Sequence, residues 1–205
     1  MTHPEPAPVH SLIGDEAVDA PDPARTAWLV TGLPGAGKTT VARLLAGAFS
    51  RSALLEGDAL GGCVVRGAVW PGQTPEAEAR RQQHLVVRNQ CLLARSFAAA
   101  GFVPVMEYVV VERARLARYR RALDGLDLRL VVLAPDPAVV LARDRARPEK
   151  TVAESFVHLH DVLTEELTGV GLWLDTGQLS AEETVAAILR DQDRARVSER
   201  FVGVS

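Results

Sequence analysis

The segment Gly32-Leu33-Pro34-Gly35-Ala36-Gly37-Lys38-Thr39 constrains this chain more than any other stretch of it. It fills the pattern G-x-x-x-x-G-K-[ST] completely. Glycines let a backbone wrap an anion closely without side-chain collision. The loop N–H groups and the positive end of the following helix then point at that anion. Lys38 places a charge on the outer phosphates of a nucleoside triphosphate, and the Thr39 hydroxyl is offered to Mg²⁺. The pattern carries this meaning only between a strand and a helix. Here Ala27-Trp28-Leu29-Val30-Thr31 is an apolar run leading into it. Lys38 to Phe49 follows at helical spacing, with Val41, Leu44, Leu45 and Ala48 on one face. A turn that merely joins two elements fits this context poorly. The expected nucleotide contacts are Gly32, Pro34, Gly35, Ala36, Gly37, Lys38, Thr39 and Thr40.

The same alternation continues along the chain. Strands are expected at Ser52–Glu56, Phe102–Val110, Leu128–Leu133 and Val170–Leu174, with helices at Pro75–Ala100, Glu112–Leu123 and Val152–Leu167 between them. Asp136 and Pro137 make a helix start, and Ser180 with Glu183 makes a capping box for a last helix to Leu189. Strands that are apolar throughout and alternate with helices mean parallel strands covered on both faces, an α/β three-layer sandwich. Residues 1–25 carry Pro4, Pro6, Pro8, Pro21 and Pro23 among small and acidic residues and read as a disordered tail. Residues 191–205 read as a polar, loosely held tail.

Composition narrows the class further. At 205 residues the chain suits one domain with a substantial core. A net charge of -3 argues against a nucleic-acid binder with a broad basic surface. Cys63 and Cys91 form no disulfide framework and lack metal spacing, which suits a reduced, cytoplasmic setting. No apolar run approaches the roughly 20 residues that span a bilayer, so no membrane partner is expected. His84, His158 and His160 have no ligand spacing.

Gly-Leu-Pro-Gly-Ala-Gly-Lys-Thr-Thr followed by Val41 and Ala42 resembles the P-loop kinases of small molecules. Leu55-Glu56-Gly57-Asp58-Ala59-Leu60, Leu130–Pro135 and Leu172-Trp173-Leu174-Asp175-Thr176-Gly177 are similar to the branch that includes chloramphenicol phosphotransferase, adenylylsulfate kinase and gluconate kinase. The resemblance covers about residues 27–189 and places the domain at 26–190. It implies a five-stranded parallel sheet, ATP or another nucleoside triphosphate with Mg²⁺, and phosphorylation of a hydroxyl on a small-molecule acceptor. It also implies an acceptor side at about 57–88 and a basic lid at about 143–152.

Candidate residues follow from this frame. Asp58 comes after the second strand, at the carboxyl edge where α/β proteins bind ligands. As a general base it would take the acceptor's proton. The other reading is a cap for a short helix beginning at Ala59. Glu107 interrupts the end of an apolar strand where relatives often carry an aspartate pair, and Tyr108 follows it. It is read either as a Mg²⁺ ligand through water or a substrate contact, or as an edge glutamate paired with an arginine. Arg143 and Arg147 share a helix face and suit a lid that stabilises the transferring group, with Arg145 and Lys150 nearby. The other reading is a solvated face balanced by acids such as Asp144. Thr176 and Gly177 are expected near the adenine through backbone contacts, or as a simple turn. Trp70 either stacks on an acceptor ring or anchors a loop in the core. Arg88 and Asn89 on the long helix either touch substrate or face solvent.

A kinase acting on an antibiotic, nucleoside or sugar acid is the leading expectation, with antibiotic resistance or biosynthesis as its setting. The alternative is a non-catalytic or hydrolytic nucleotide-binding protein, such as a ligand-sequestering resistance protein. A GTPase switch is disfavoured, because no Asn-Lys-x-Asp segment is present. Nothing in the sequence points to a particular oligomeric state.

Overall fold

A computed structural model describes residues 22, 25–136, 138–139, 159–198 and 201. Five parallel strands form its sheet: β1 Thr26–Gly32, β2 Ser52–Glu56, β3 Val103–Glu107, β4 Asp127–Leu133 and β5 Leu172–Leu174, in the order β2-β3-β1-β4-β5. The described helices are α1 Lys38–Gly47, α2 Gly57–Gly62, α3 Glu76–Ala99, α4 Arg113–Ala122, α5 Leu159–Leu167 and α6 Ala181–Arg190. The expected α/β sandwich is therefore the fold.

Strand periodicity builds the two cores. Alternate side chains point to opposite faces. Ala27 and Leu29 of β1 join Met106, Leu130 and Val132 on the face covered by α3, α4 and α5. Trp28 and Val30 join Val105, Val131 and Leu133 on the face covered by α1 and α6. Every residue of β1 is buried, as a central parallel strand with both faces covered requires. Ser180 caps α6 as its sequence implies: its hydroxyl accepts from the Glu183 N–H at 3.1 Å, and Glu183 accepts from the Ser180 N–H at 2.8 Å. Ser180→Ala should cost about 1 kcal/mol, read as a shift in the urea midpoint with an unchanged slope.

The end of β3, the start of β5 and the C-terminal segment differ from the sequence reading for visible reasons. β3 ends at Glu107 rather than Val110. Beyond it the Thr31 hydroxyl replaces the ladder, accepting from the Val110 N–H at 2.8 Å and lying 3.0 Å from its carbonyl. β5 starts at Leu172, because Gly171 adopts φ 71 and a Cβ there would meet the Leu130 carbonyl at 2.6 Å. The C-terminal segment is packed as far as Val197, not loose. Gln192–Ala195 forms a 3₁₀ turn, Ala195 and Val197 are buried, and the Val197 N–H donates to the Leu128 carbonyl at 2.8 Å. Two apolar side chains and that bond outweigh the segment's polar composition.

Candidate active site

The site lies at the carboxyl ends of β1, β2 and β3. Connections leave β1 toward β2 and β3 toward β4, so the strand order reverses between these neighbours. That is where open α/β sheets bind ligands. Two glycines set the loop after β1, for different reasons. At Gly32, φ is 147 and a Cβ would meet the Leu133 carbonyl at 2.5 Å, so the loop must leave the sheet through a bare backbone. At Gly37 there is open space, and the requirement is φ 90. Gly37 is also the N-cap of α1, which has no side-chain cap. The first-turn N–H groups of α1 thus have no capping side chain, and they face the loop as an anion cradle would need. Gly32→Ala should destabilise the fold by about 1–3 kcal/mol in thermal or urea unfolding. Leu33 and Ala36 are buried and bonded across the turn at 3.1 Å, while Pro34 and Gly35 are half-buried. Lys38 Nζ lies 3.2 Å from the Leu33 carbonyl and donates to it. Thr39 and Thr40 are exposed at the helix start.

Glu107 sits beside this loop. Its residue pairs with Val30 of β1 on one side and Glu56 of β2 on the other. The side chain is only 3% exposed, and Oε2 has no hydrogen-bond partner among the described residues. Burial pushes its carboxyl above the usual range; Lys38 opposes this, Asp58 and Glu56 add to it, and a hydrogen bond with Thr39 opposes it. No arginine pairs with it among the described residues, so the edge ion pair of the alternative reading is absent from them. An orphaned, buried carboxylate oxygen beside a threonine hydroxyl fits Mg²⁺, which takes one or two protein ligands and leaves the rest to phosphates and water.

Asp58 is the second residue of α2, not the residue before it. Glu56 occupies the N-cap, and no side chain caps that helix. The capping alternative is therefore replaced by an exposed carboxylate that raises the Glu107 pKa through its charge. Asp58 also lines a cleft of about 110 Å³ between α2, the loop after it, and α3. Trp70 lines the same cleft and is 43% exposed, so it is a wall rather than a core anchor. Arg88 is exposed and is not part of the lining, while its neighbour Asn89 is.

Thr176 is buried, and the Gly177 N–H donates to Asp175 Oδ1 at 2.8 Å, forming a tight turn after β5. Arg143, Arg145, Arg147 and Lys150 lie outside the described residues, as do the rest of the expected lid at 143–152 and most of the tail at 1–25.

Two residues of this neighbourhood carried no role in the sequence reading. Tyr108 is buried against Gly57, where a Cβ would lie 2.2 Å from the ring. Gln90 is fully buried, and its amide donates to the Leu55 carbonyl at 2.8 Å and the Glu107 carbonyl at 3.0 Å. Tyr119 donates its hydroxyl to Gln90 Oε1. This clip ties the ends of β2 and β3 together and fixes the backbone that carries Glu107. Its signal was a polar residue on the otherwise apolar stripe Val86, Gln90, Ala94. Gln90→Leu should remove both amide donations and leave the buried Tyr119 hydroxyl without its acceptor, at a cost of about 1–3 kcal/mol, checked by thermal unfolding.

Fold and loop together define an α/β domain built around a P-loop. The chain belongs to the AAA domain family, whose model matches residues 28–166. Among solved structures it is similar to a sugar kinase from Janibacter sp. HTCC2649, at 20% identity and TM-score 0.62, covering 83% of this chain and 96% of that one. A tunicamycin resistance protein from Deinococcus radiodurans is similar at 21% identity and TM-score 0.61, covering 85% and 99%. The APS kinase of Mycobacterium tuberculosis, in complex with AMPPNP and APS, is similar at 18% identity and TM-score 0.59, covering 82% and 97%. At these identities the likeness is one of fold. No curated protein matches the chain. No helix among the described residues is long and apolar enough to cross a membrane.

Proposed function

We propose that this chain is an ATP-dependent phosphotransferase that phosphorylates a hydroxyl of a small molecule. The observation that carries this reading is the sequence of neighbours Lys38 and Thr39, Glu107, then Asp58, running from the anion cradle to the cleft. A hydrolase needs only the cradle and a positioned water. A second cleft fronted by a carboxylate suits an acceptor.

In this reading the loop N–H groups and Lys38 hold the β- and γ-phosphates. Thr39 and Glu107 would hold Mg²⁺, which neutralises the charge developing on the phosphates. Asp58 accepts the proton of the acceptor hydroxyl as its oxygen attacks the γ-phosphorus. The bond to the β,γ-bridging oxygen breaks, and ADP leaves. Arg143 and Arg147 stay in the proposal on sequence grounds, as cations that stabilise the transferring group. Thr176 and Gly177 stay as adenine neighbours, and a cytoplasmic setting stays with them. The likeness to a tunicamycin resistance protein supports including antibiotics among the compounds tried.

The test is ADP release with Mg²⁺ and ATP, measured with and without hydroxylated antibiotics, nucleosides and sugars. Release that depends on one compound class is the expected result. Release at one constant rate, whatever is added, would favour a hydrolase instead.

A further inference from the structure

The cleft beside Asp58 carries a chemical preference in its lining. No lysine, arginine or histidine is among the described residues that line it, and Asp58 is the only charged side chain among them. The walls are largely apolar, with Leu60, Val64, Leu85 and Trp70 among the lining. Arg115 does not line the cleft: it donates to the Val109 carbonyl at 3.0 Å and to Gln83 Oε1 at 2.9 Å, and its charge reaches the lining only as an electrostatic effect on Tyr108.

Two aromatic rings rest on the bare backbone of α2. Gly57 and Gly61 are four apart and share a helix face. A Cβ at Gly57 would lie 2.2 Å from the Tyr108 ring, and one at Gly61 would lie 3.4 Å from the Trp70 ring. The loop that carries Trp70 is held from α3 by Gln82, which accepts from the Val69 N–H at 2.8 Å and donates to the Gly67 carbonyl at 2.7 Å. The wall is thus set before a ligand arrives. The polar groups left for a ligand are neutral: the Asn89 amide and the Tyr108 hydroxyl make no side-chain hydrogen bond among the described residues.

We infer that this cleft selects an uncharged, largely apolar alcohol and rejects carboxylate- and phosphate-bearing acceptors. Among the described residues that line the cleft, an anion would face the Asp58 charge and no cationic donor, in a partly desolvated site. A cation would pair with Asp58 and take away the basicity the reaction needs. Sugar acids therefore leave the acceptor list, and neutral ring-bearing alcohols stay on it. The inference rests on the phosphotransferase reading for the fate of the alcohol, but not for what binds.

A matched pair tests it: 3-phenylpropane-1,2-diol and 3-phenyllactate differ only in a hydroxymethyl against a carboxylate. Binding to the full chain is measured by ligand-observed NMR and titration calorimetry, with the cradle filled by AMPPNP and Mg²⁺. The expected result is a Kd at least about tenfold lower for the diol. Asn89→Arg, or Leu85→Arg on the exposed part of the wall, should shrink or reverse that preference. Equal binding, tighter phenyllactate binding, or saturation by neither compound overturns the inference. Phosphorylation of phenyllactate would sink it while keeping the kinase reading. Tight diol binding with no acceptor ever phosphorylated would do the opposite.

Discussion

Replacing Asp58 by asparagine should lower turnover by about 10²–10⁴-fold while leaving nucleotide affinity unchanged. Asparagine keeps the shape of the side chain and loses the oxygen that accepts a proton. Nucleotide affinity should hold because the cradle is built from Gly32–Thr39, and Asp58 lies on the cleft side. The substitution also separates chemistry from stability. Asparagine caps a helix about as well as aspartate does, and here Asp58 sits inside α2 with no capping bond. The unfolding free energy should therefore stay within about 0.5 kcal/mol of the parent, as for an exposed substitution. Steady-state kinetics and calorimetric titration with AMPPNP check both halves. Full turnover in this variant would remove Asp58 from the mechanism.

Glu107→Gln should have two opposite effects. Turnover should fall by about 10²–10³-fold, the scale of losing one preorganised electrostatic contact to the transferring group. The fold should become more stable at neutral pH, with Tm raised by about 2–4 °C for each kcal/mol gained. The sign follows from the carboxyl's environment. Burial holds its folded-state pKa above the unfolded value, so the charged form is the costly one in the folded protein. Stability from this site is full below the unfolded pKa and is lost as pH rises through the folded one. Glutamine removes that loss, so the variant's advantage should grow from acid to neutral pH. Thermal unfolding of both proteins across that range reads it. A variant less stable at neutral pH, with undiminished activity, would make Glu107 a structural anchor.

The part of the site that was legible in the sequence is the contiguous part. Gly32–Thr39 encodes its geometry locally, through the positive-φ conformations of Gly32, Gly35 and Gly37 and the uncapped start of α1. The strand runs and the Ser180–Glu183 capping box were legible for the same reason, because each is a property of neighbours in the chain. The acceptor cleft is different. It is assembled from α2, the loop after it, α3 and the residue following β3, and no single stretch records that meeting. Nothing adjacent to Gly57 in the chain records that the Tyr108 ring, from another strand's end, is laid against it. The burial of Glu107 depends on β3 lying between β1 and β2, which follows from long-range pairing. The helix-cap alternative for Asp58 arose because the two residues preceding Ala59 gave no sign that the helix had already begun at Gly57.

The central claim is that the phosphate held at Gly32–Thr39 is passed to a hydroxyl in the cleft beside Asp58. Mass spectrometry of the acceptor after incubation with ATP and Mg²⁺, with ADP quantified in the same reaction, tests it most directly. The expected result is an acceptor heavier by one phosphoryl group, formed in step with ADP and lost in Asp58→Asn. ADP accumulating with every acceptor left at its original mass would contradict it.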